Sequence, residues 1–169
     1  NGTKLCEMLT DKTKEYEAVL LLGTVTDTED TTGIILETKE VCVKEEQVRQ
    51  VIYSFIGEYE QVPPMYSAIK VDGKHLYELA REGKEIERKA RKVHIYGIEV
   101  LSVELPRVKI RVCCGKGTYI RSLCHDIGEK LGCGGCMEKL VRTRSGVFGY
   151  ENALPISMIE ELKEKGHLE

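Results

Sequence analysis

The chain has 169 residues, a net charge of −3, and a composition of 41% hydrophobic and 31% charged residues. That is enough chain to bury a core in one ordinary domain, and the balance excludes disordered, collagen-like and low-complexity classes. No apolar run approaches the ~20 residues that span a bilayer, and the first residues lack the three regions of a signal peptide, so the expected location is the cytoplasm.

Taken in chain order, residues 16–26 are rich in branched apolar side chains and read as a strand, residues 27–33 as a turn, and residues 34–38 as a short returning strand. Val48, Val51, Ile52 and Phe55 have helical spacing within residues 44–56, closed by Gly57. Pro63 and Pro64 break the pattern. Residues 66–71 then read as a strand, Asp72-Gly73 as a turn and residues 74–81 as a short helix ended by Gly83. Residues 93–103 and 108–113 alternate as strands. Ile120, Leu123, Ile127 and Leu131 mark a helix over 118–131, capped by Gly132. Residues 140–148 form a further strand candidate, and Ser157 with Glu160 reads as a capping box opening the last helix. Strands and helices mix without regular alternation, which predicts an α+β domain built on a mixed or antiparallel sheet flanked by helices.

Charge is unevenly distributed. Residues 63–121 hold 13 Lys and Arg against 7 Asp and Glu, while the rest holds 12 against 21. Such a basic stretch on an acidic protein fits a polyanion contact, although a solvated charged face meets the same description.

Two segments carry the chemistry. In GKGTYIRSLCHD, residues 115–126, a strand runs through two glycines into a helix start. Amide groups there favour an anion, and Tyr119 and Arg121 sit within one turn. Tyr119 could stack on a base and Arg121 could pair with a carboxylate or phosphate. A capped helix with a half-buried tyrosine and a surface arginine fits the spacing as well. In VPPMYSAIKVDGK, residues 62–74, a diproline precedes Tyr66, Ser67, Lys70 and Lys74. Interleaved aromatic and basic residues of this kind suit RNA, and an edge hairpin with surface lysines suits them equally.

Other constellations are weaker. Cys133 and Cys136 form a CxxC, with Cys113 and Cys114 as two further thiols, but adjacent cysteines chelate zinc poorly. An odd total of seven cysteines also argues against a secreted disulfide framework. His125 and Asp126 are neighbours on one helix and point to different faces. Asp27, Thr28 and Asp30 lack the glycine and terminal glutamate of a calcium loop and read as a turn.

Four stretches, KEYEAVLLLGTVTDTEDTTG, VPPMYSAIKVDGKHLYELAREG, KGTYIRSLCHDIGEKLGCGG and LVRTRSG, occur in the order in which they occur in the TruB family of tRNA pseudouridine synthases, and the sequence resembles that family over residues 4–162. The resemblance implies isomerisation of uridine to pseudouridine at position 55, in the T-loop of tRNA, with the T-arm stem-loop as partner. It implies no metal and no organic cofactor. It places Tyr16 against the flipped uracil, Tyr119 on the target base as a candidate proton acceptor from C5, and Arg121 on the catalytic aspartate. It further places Leu140 in the base pocket, Arg142 on the same basic strand, and Tyr66, Lys70 and Lys74 in an RNA-gripping insertion at about residues 60–90.

The family's nucleophile is an aspartate in a GxLDPxAxGxL-like motif. None of Asp11, Asp27, Asp30, Asp72 and Asp126 has that context. The expectation is therefore a partial catalytic domain over residues 1–169, inactive alone, with the nucleophile segment and a small carboxy-terminal RNA-binding domain outside it. Arg121 is then expected to lack its carboxylate partner, and part of the sheet to lack a neighbouring strand. The alternative reading is a non-catalytic RNA-binding or tRNA-folding module.

Overall fold

The computed structural model describes residues 13–166 apart from 72 and 85. Its strands are β1 (Thr13–Leu22), β2 (Thr24–Thr26), β3 (Ile35–Thr38), β4 (Gly57–Gln61), β5 (Lys70–Val71), β6 (Lys74–His75), β7 (Arg91–Glu104), β8 (Arg107–Gly115), β9 (Gly135–Ser145) and β10 (Phe148–Gly149). The helices are α1 (Glu45–Tyr53), α2 (Leu76–Arg81), α3 (Ile120–Leu131) and α4 (Ile156–Glu164). Six strands form one antiparallel sheet in the order β10-β9-β1-β8-β7-β4, and β2-β3 and β5-β6 are separate two-stranded hairpins. This is the α+β architecture that the mixture of patterns predicts.

The sheet buries one face. Ala18, Leu20 and Leu22 of β1 and Val108, Ile110, Val112 and Cys114 of β8 alternate inward, as the period of two requires. On β7 a register shift at Tyr96 moves the inward set from Val93 and Ile95 to Ile98 and Val100. Val48 and Ile52 of α1 and Leu123, Cys124 and Ile127 of α3 close over that face. At ~25 cal/mol per Å² of apolar surface, this burial is the main source of stability.

The opposite face is laced with ion pairs. Glu17 bridges Lys109 and Arg111, each at 2.8 Å, Arg111 also reaches Glu99 at 2.6 Å, and Arg107 pairs with Glu138 at 2.8 Å. Three cations of the basic 63–121 stretch are thereby neutralised within the sheet, which weakens its reading as one continuous polyanion patch.

Several boundaries depart from the sequence expectations. The 16–26 strand breaks at Gly23, whose φ of +82° turns the chain, and a Cβ there would sit 2.7 Å from the Lys39 carbonyl oxygen. Residues 66–71 are not one strand: residues 66–68 bend, and only Lys70–Val71 pairs, because the diproline and the return to Tyr77 hold this stretch away from the sheet. Lys74 and His75 are strand rather than helix. β4 has no counterpart among the predicted elements, and β9 begins five residues before the predicted strand. The Ser157–Glu160 capping box does not form: α4 starts at Ile156 with Pro155 as its cap, so Ser157 lies inside the helix. Asp72 of the predicted turn, like Asp11, lies outside the described residues.

The outer edge of β9 is only partly covered. β10 pairs with Ser145 and Arg144, and the 27–33 turn docks at Met137 through Met137 N–H to the Glu29 carbonyl and Thr31 N–H to the Met137 carbonyl, both 3.0 Å. From residue 138 to 143 the described residues place no strand on that side. Among the described residues no helix is long and apolar enough to cross a membrane.

Candidate functional site

The site forms where α3 begins. Gly117, at φ +84°, turns the chain out of β8, and Tyr119 is the extended residue capping α3. Arg121 follows in the first turn. Its Nη1 donates to the Asp30 carboxylate (3.0 Å) and the Thr28 carbonyl (3.3 Å), and its Nη2 to the Tyr66 carbonyl (2.8 Å). Arg121 is expected to miss the nucleophilic aspartate as its partner, and the structure gives it a different carboxylate, that of Asp30. The turn that the sequence offers as a plain connection delivers Asp30, whose side chain is 14% exposed, to the arginine.

Asp30 is held as firmly as it holds. Its Oδ1 accepts from the Thr28 hydroxyl, the Thr32 amide and the Thr32 hydroxyl, while Oδ2 takes Arg121. Burial pushes its carboxyl up, but the hydrogen bonds from Thr32 and Thr28, together with the Arg121 charge, bring it below its ordinary value. The turn is pinned to β9 at Met137 and to α3 by a hydrogen bond from the Ser122 hydroxyl to Glu29. Glu29 sits at φ +63°, the one non-glycine residue with positive φ among those described. Burial raises its carboxyl pKa.

Arg121, Tyr66 and turn residues 27, 28 and 32–34 line an open cavity of about 400 Å³. A second cavity, of about 410 Å³, shares Asp27 and Tyr66 and reaches Glu29, Arg88 and His125.

A second group of predicted residues meets on the sheet. Tyr16 lies opposite Arg142 and Ala18 opposite Leu140 across β1 and β9, so all four project to the face that α3 covers. Burial raises the Tyr16 phenol pKa against the opposing pull of Arg142. Leu140 remains 42% exposed. Lys70 and Lys74 stand on the β5-β6 hairpin, where Lys74 pairs with Glu82 at 3.6 Å. No hydrogen bond or ion pair among the described residues joins either lysine to Arg121.

The remaining constellations have structural accounts. Asp27 accepts the Ile34 amide at 2.7 Å, closing the turn. Cys133 and Cys136 are buried beside Gly134 and Gly135, which let α3 approach β9 at Gly128. Among the described residues no three His, Cys, Asp or Glu side chains are grouped to hold a metal.

Asp126 is half-buried on α3, and burial pushes its carboxyl up to about 6, with Glu29 and Glu129 adding to the effect and His125 opposing it. A folded-state pKa above the ordinary ~3.9 means that the stabilising contribution is complete below pH ~4 and lost as pH rises through about 6. Asp126→Asn is expected to add about 1 kcal/mol at pH 7.5, after discount for solvent screening, and nothing at pH 4. Thermal melts of the two proteins across that range check it.

The missed residues are Asp30, Glu29, Ser122 and Gln61. Gln61, at the end of β4, hydrogen-bonds both backbone groups of Tyr119. Asp30 sits in the TDTEDTTG stretch, but its partner lies 91 residues away and no local pattern links them.

The model of the TruB family pseudouridylate synthase N-terminal domain matches residues 1–120, and that of the tRNA pseudouridylate synthase B C-terminal domain matches residues 121–168. Over 162 residues the chain is 52% identical to tRNA pseudouridine synthase B of Alkaliphilus oremlandii, covering 96% of this chain and 54% of the relative. It is 55% identical to the protein of that name from Lachnoclostridium phytofermentans, covering 100% of this chain and 58% of the relative. The chain thus spans just over half the length of these curated relatives. Among solved structures, a Cbf5-Nop10-Gar1 complex matches with a TM-score of 0.69 at 33% identity, over 97% of this chain and 41% of that one. An H/ACA RNP bound to a substrate RNA containing 2′-deoxyuridine matches with a TM-score of 0.64 at 30% identity, over 97% and 39%.

Proposed function

Since the chain belongs to the TruB family of pseudouridylate synthases, we propose that it forms the greater part of a catalytic centre converting uridine to pseudouridine in the T-loop of tRNA, at position 55. The observation that carries this reading is the anchored arginine. Among the described residues, three of the five N–H donors of Arg121 go to Asp30, Thr28 and Tyr66, and the other two have no described partner beside an open cavity. A second carboxylate can be held there without losing the first.

Asp30 itself is a poor nucleophile, because both carboxylate oxygens are engaged. The attacking aspartate is assigned to the part of the relatives that this chain does not span. Arg121 keeps that aspartate ionised, as an opposite charge within ~4–6 Å does. The target base is extruded from the loop at a cost of a few kcal/mol and lies among Tyr16, Tyr119 and Leu140. Attack by the aspartate carboxylate forms a C1′–O bond as the N1–C1′ bond breaks, the ring turns, and C5 bonds to C1′ as that C1′–O bond breaks and the carboxylate is returned. The Tyr119 phenol oxygen takes the C5 proton as its own hydroxyl proton passes through water to N1, so the proton count balances, the product is an isomer and no cofactor is consumed. Tyr66, Lys70 and Lys74 grip the T-arm, and Arg142 adds positive charge beside Tyr16.

Disruption of the reading frame containing this chain, followed by mapping of pseudouridine in cellular tRNA, tests the proposal. Loss at the T-loop uridine, restored by the wild-type frame and not by one carrying Arg121→Met, supports it. Retention of T-loop pseudouridine in the disrupted strain favours the non-catalytic RNA-binding module.

A further inference from the structure

Gln61 is the last residue of β4, at the far edge of the sheet from β9, and is 1% exposed. A buried primary amide needs partners for its acceptor and both donors. Its Oε1 accepts the Tyr119 amide at 2.8 Å, and its Nε2 donates to the Tyr119 carbonyl at 2.9 Å. The second Nε2 hydrogen goes to the Tyr59 hydroxyl. The side chain therefore stands where a neighbouring strand would stand, pairing with both main-chain groups of a single residue.

Among the described residues, Tyr119 caps α3 without a side-chain capping hydrogen bond, and it follows a segment that turns at Gly117. Its carbonyl also accepts the Leu123 amide at 3.1 Å, so helix and glutamine hold the same peptide from two sides. Gln61 is in turn braced by Tyr59, whose ring packs edge-on against Phe55 at 5.3 Å. With the peptide fixed, the Cα–Cβ direction of Tyr119 is fixed, and so is the cone its phenol can sweep.

We infer that Gln61 is a positioning residue for the reaction: it fixes the Tyr119 backbone so that the phenol meets the target uracil. This rests on the reading of Tyr119 as the residue facing the base. Gln61 touches no reacting atom, and its effect belongs in turnover rather than in RNA affinity, because misplacing a reacting group by about 1 Å costs up to ~100-fold.

The test uses the full-length protein encoded by the frame containing this chain, with a T-arm stem-loop as substrate. Gln61→Met removes all three hydrogen bonds at similar volume. Gln61→Glu keeps the acceptor for the Tyr119 amide and sets a carboxylate oxygen against the Tyr119 carbonyl. Its protonated form restores a donor, and burial favours that form. Gln61→Met is expected to lower kcat about 30-fold or more, with KM for the stem-loop within about threefold. Gln61→Glu is expected to be as slow at pH 8 and to recover about tenfold relative to wild type at pH 6. Ile52→Val, a core change remote from the site that lowers the melting temperature, is expected to keep kcat.

Melting temperatures that fall for the Gln61 variants while kcat stays within twofold overturn the inference, leaving Gln61 a structural residue. If Gln61→Met does not fold, the pH profile of Gln61→Glu decides alone, and a profile parallel to wild type overturns the inference. Tyr119→Phe separates the two claims. Loss of turnover in Tyr119→Phe with full turnover in both Gln61 variants removes only the positioning role. Full turnover in Tyr119→Phe removes the reading of Tyr119 and the inference with it.

Discussion

Arg121→Met in the full-length protein is expected to abolish pseudouridine formation to within measurement, a loss of about a thousandfold or more. A single preorganised donor at a reacting centre is worth ~10²–10³ in rate, and this side chain is assigned both the nucleophile's charge balance and the placement of three elements. It ties α3 to the 27–33 turn through Asp30 and Thr28, and to the segment after the diproline through Tyr66. Arg121→Lys keeps a charge but has no planar fork to reach Asp30 and the Tyr66 carbonyl together, and is expected to lose about a hundredfold.

Stability should move as well. The Arg121 side chain is 22% and that of Asp30 14% exposed, so removing the arginine strands a mostly buried carboxylate, at a cost of about 3 kcal/mol. Adding Asp30→Asn to Arg121→Met is expected to return much of that stability and none of the activity. The depressed Asp30 pKa gives the sign of the pH dependence. The contribution of the pair is present above pH ~4 and lost as pH falls through the lower folded-state value, a slope that the double variant should not show. Acid melts and turnover of the three proteins, measured side by side, separate anchoring from catalysis.

Gly128→Ala is expected to destabilise the protein by about 3 kcal/mol or more, despite the ~1 kcal/mol that alanine adds to an isolated helix. A Cβ at Gly128 would lie 2.2 Å from the Gly135 nitrogen, 2.3 Å from the Gly134 carbonyl carbon and 2.6 Å from its oxygen. All three are backbone atoms, so no side chain can swing aside. Relief requires α3 to lift from β9, and the 3.0 Å hydrogen bond from the Gly134 amide to the Gly128 carbonyl would be lost with it. For a protein of this size the melting temperature should fall by about 6–12 °C. Gly97→Ala is the matched control: a Cβ there meets nothing within 4 Å and its φ is not in the left-handed region, so its melting point should change little.

The glycine pair also accounts for the CGGC sequence that a zinc reading first draws on. Its small residues let helix and strand backbones meet, and its cysteines fill buried space. Composition and spacing suggest ligands there, and the physical reason is packing across a contact that the sequence does not display.

Where elements bury an apolar face, the sequence shows them. β1, β8, α1 and α3 each carry the periodicity of their geometry, and the predicted bounds lie within a few residues of the observed ones. β4 was invisible because GEYEQ is polar: Glu58 and Glu60 face out, and the inward positions hold Tyr59 and Gln61 rather than branched apolar residues. The family resemblance picks out Tyr16, Tyr119, Arg121, Leu140 and Arg142, and the fold places Tyr16, Leu140 and Arg142 on one patch of sheet and the other two at the start of α3. What it leaves out are the partners. Asp30 and Gln61 contact α3 across 91 and 58 residues, and such pairings follow from tertiary packing with no local signature.

The most direct measurement is incubation of the purified full-length protein, in the presence of a chelator, with an unmodified T-arm stem-loop, followed by position-resolved detection of pseudouridine. Multiple turnovers are expected, with one pseudouridine per stem-loop, at the T-loop uridine corresponding to position 55. Stem-loop that is bound but returned as uridine would contradict the synthase reading.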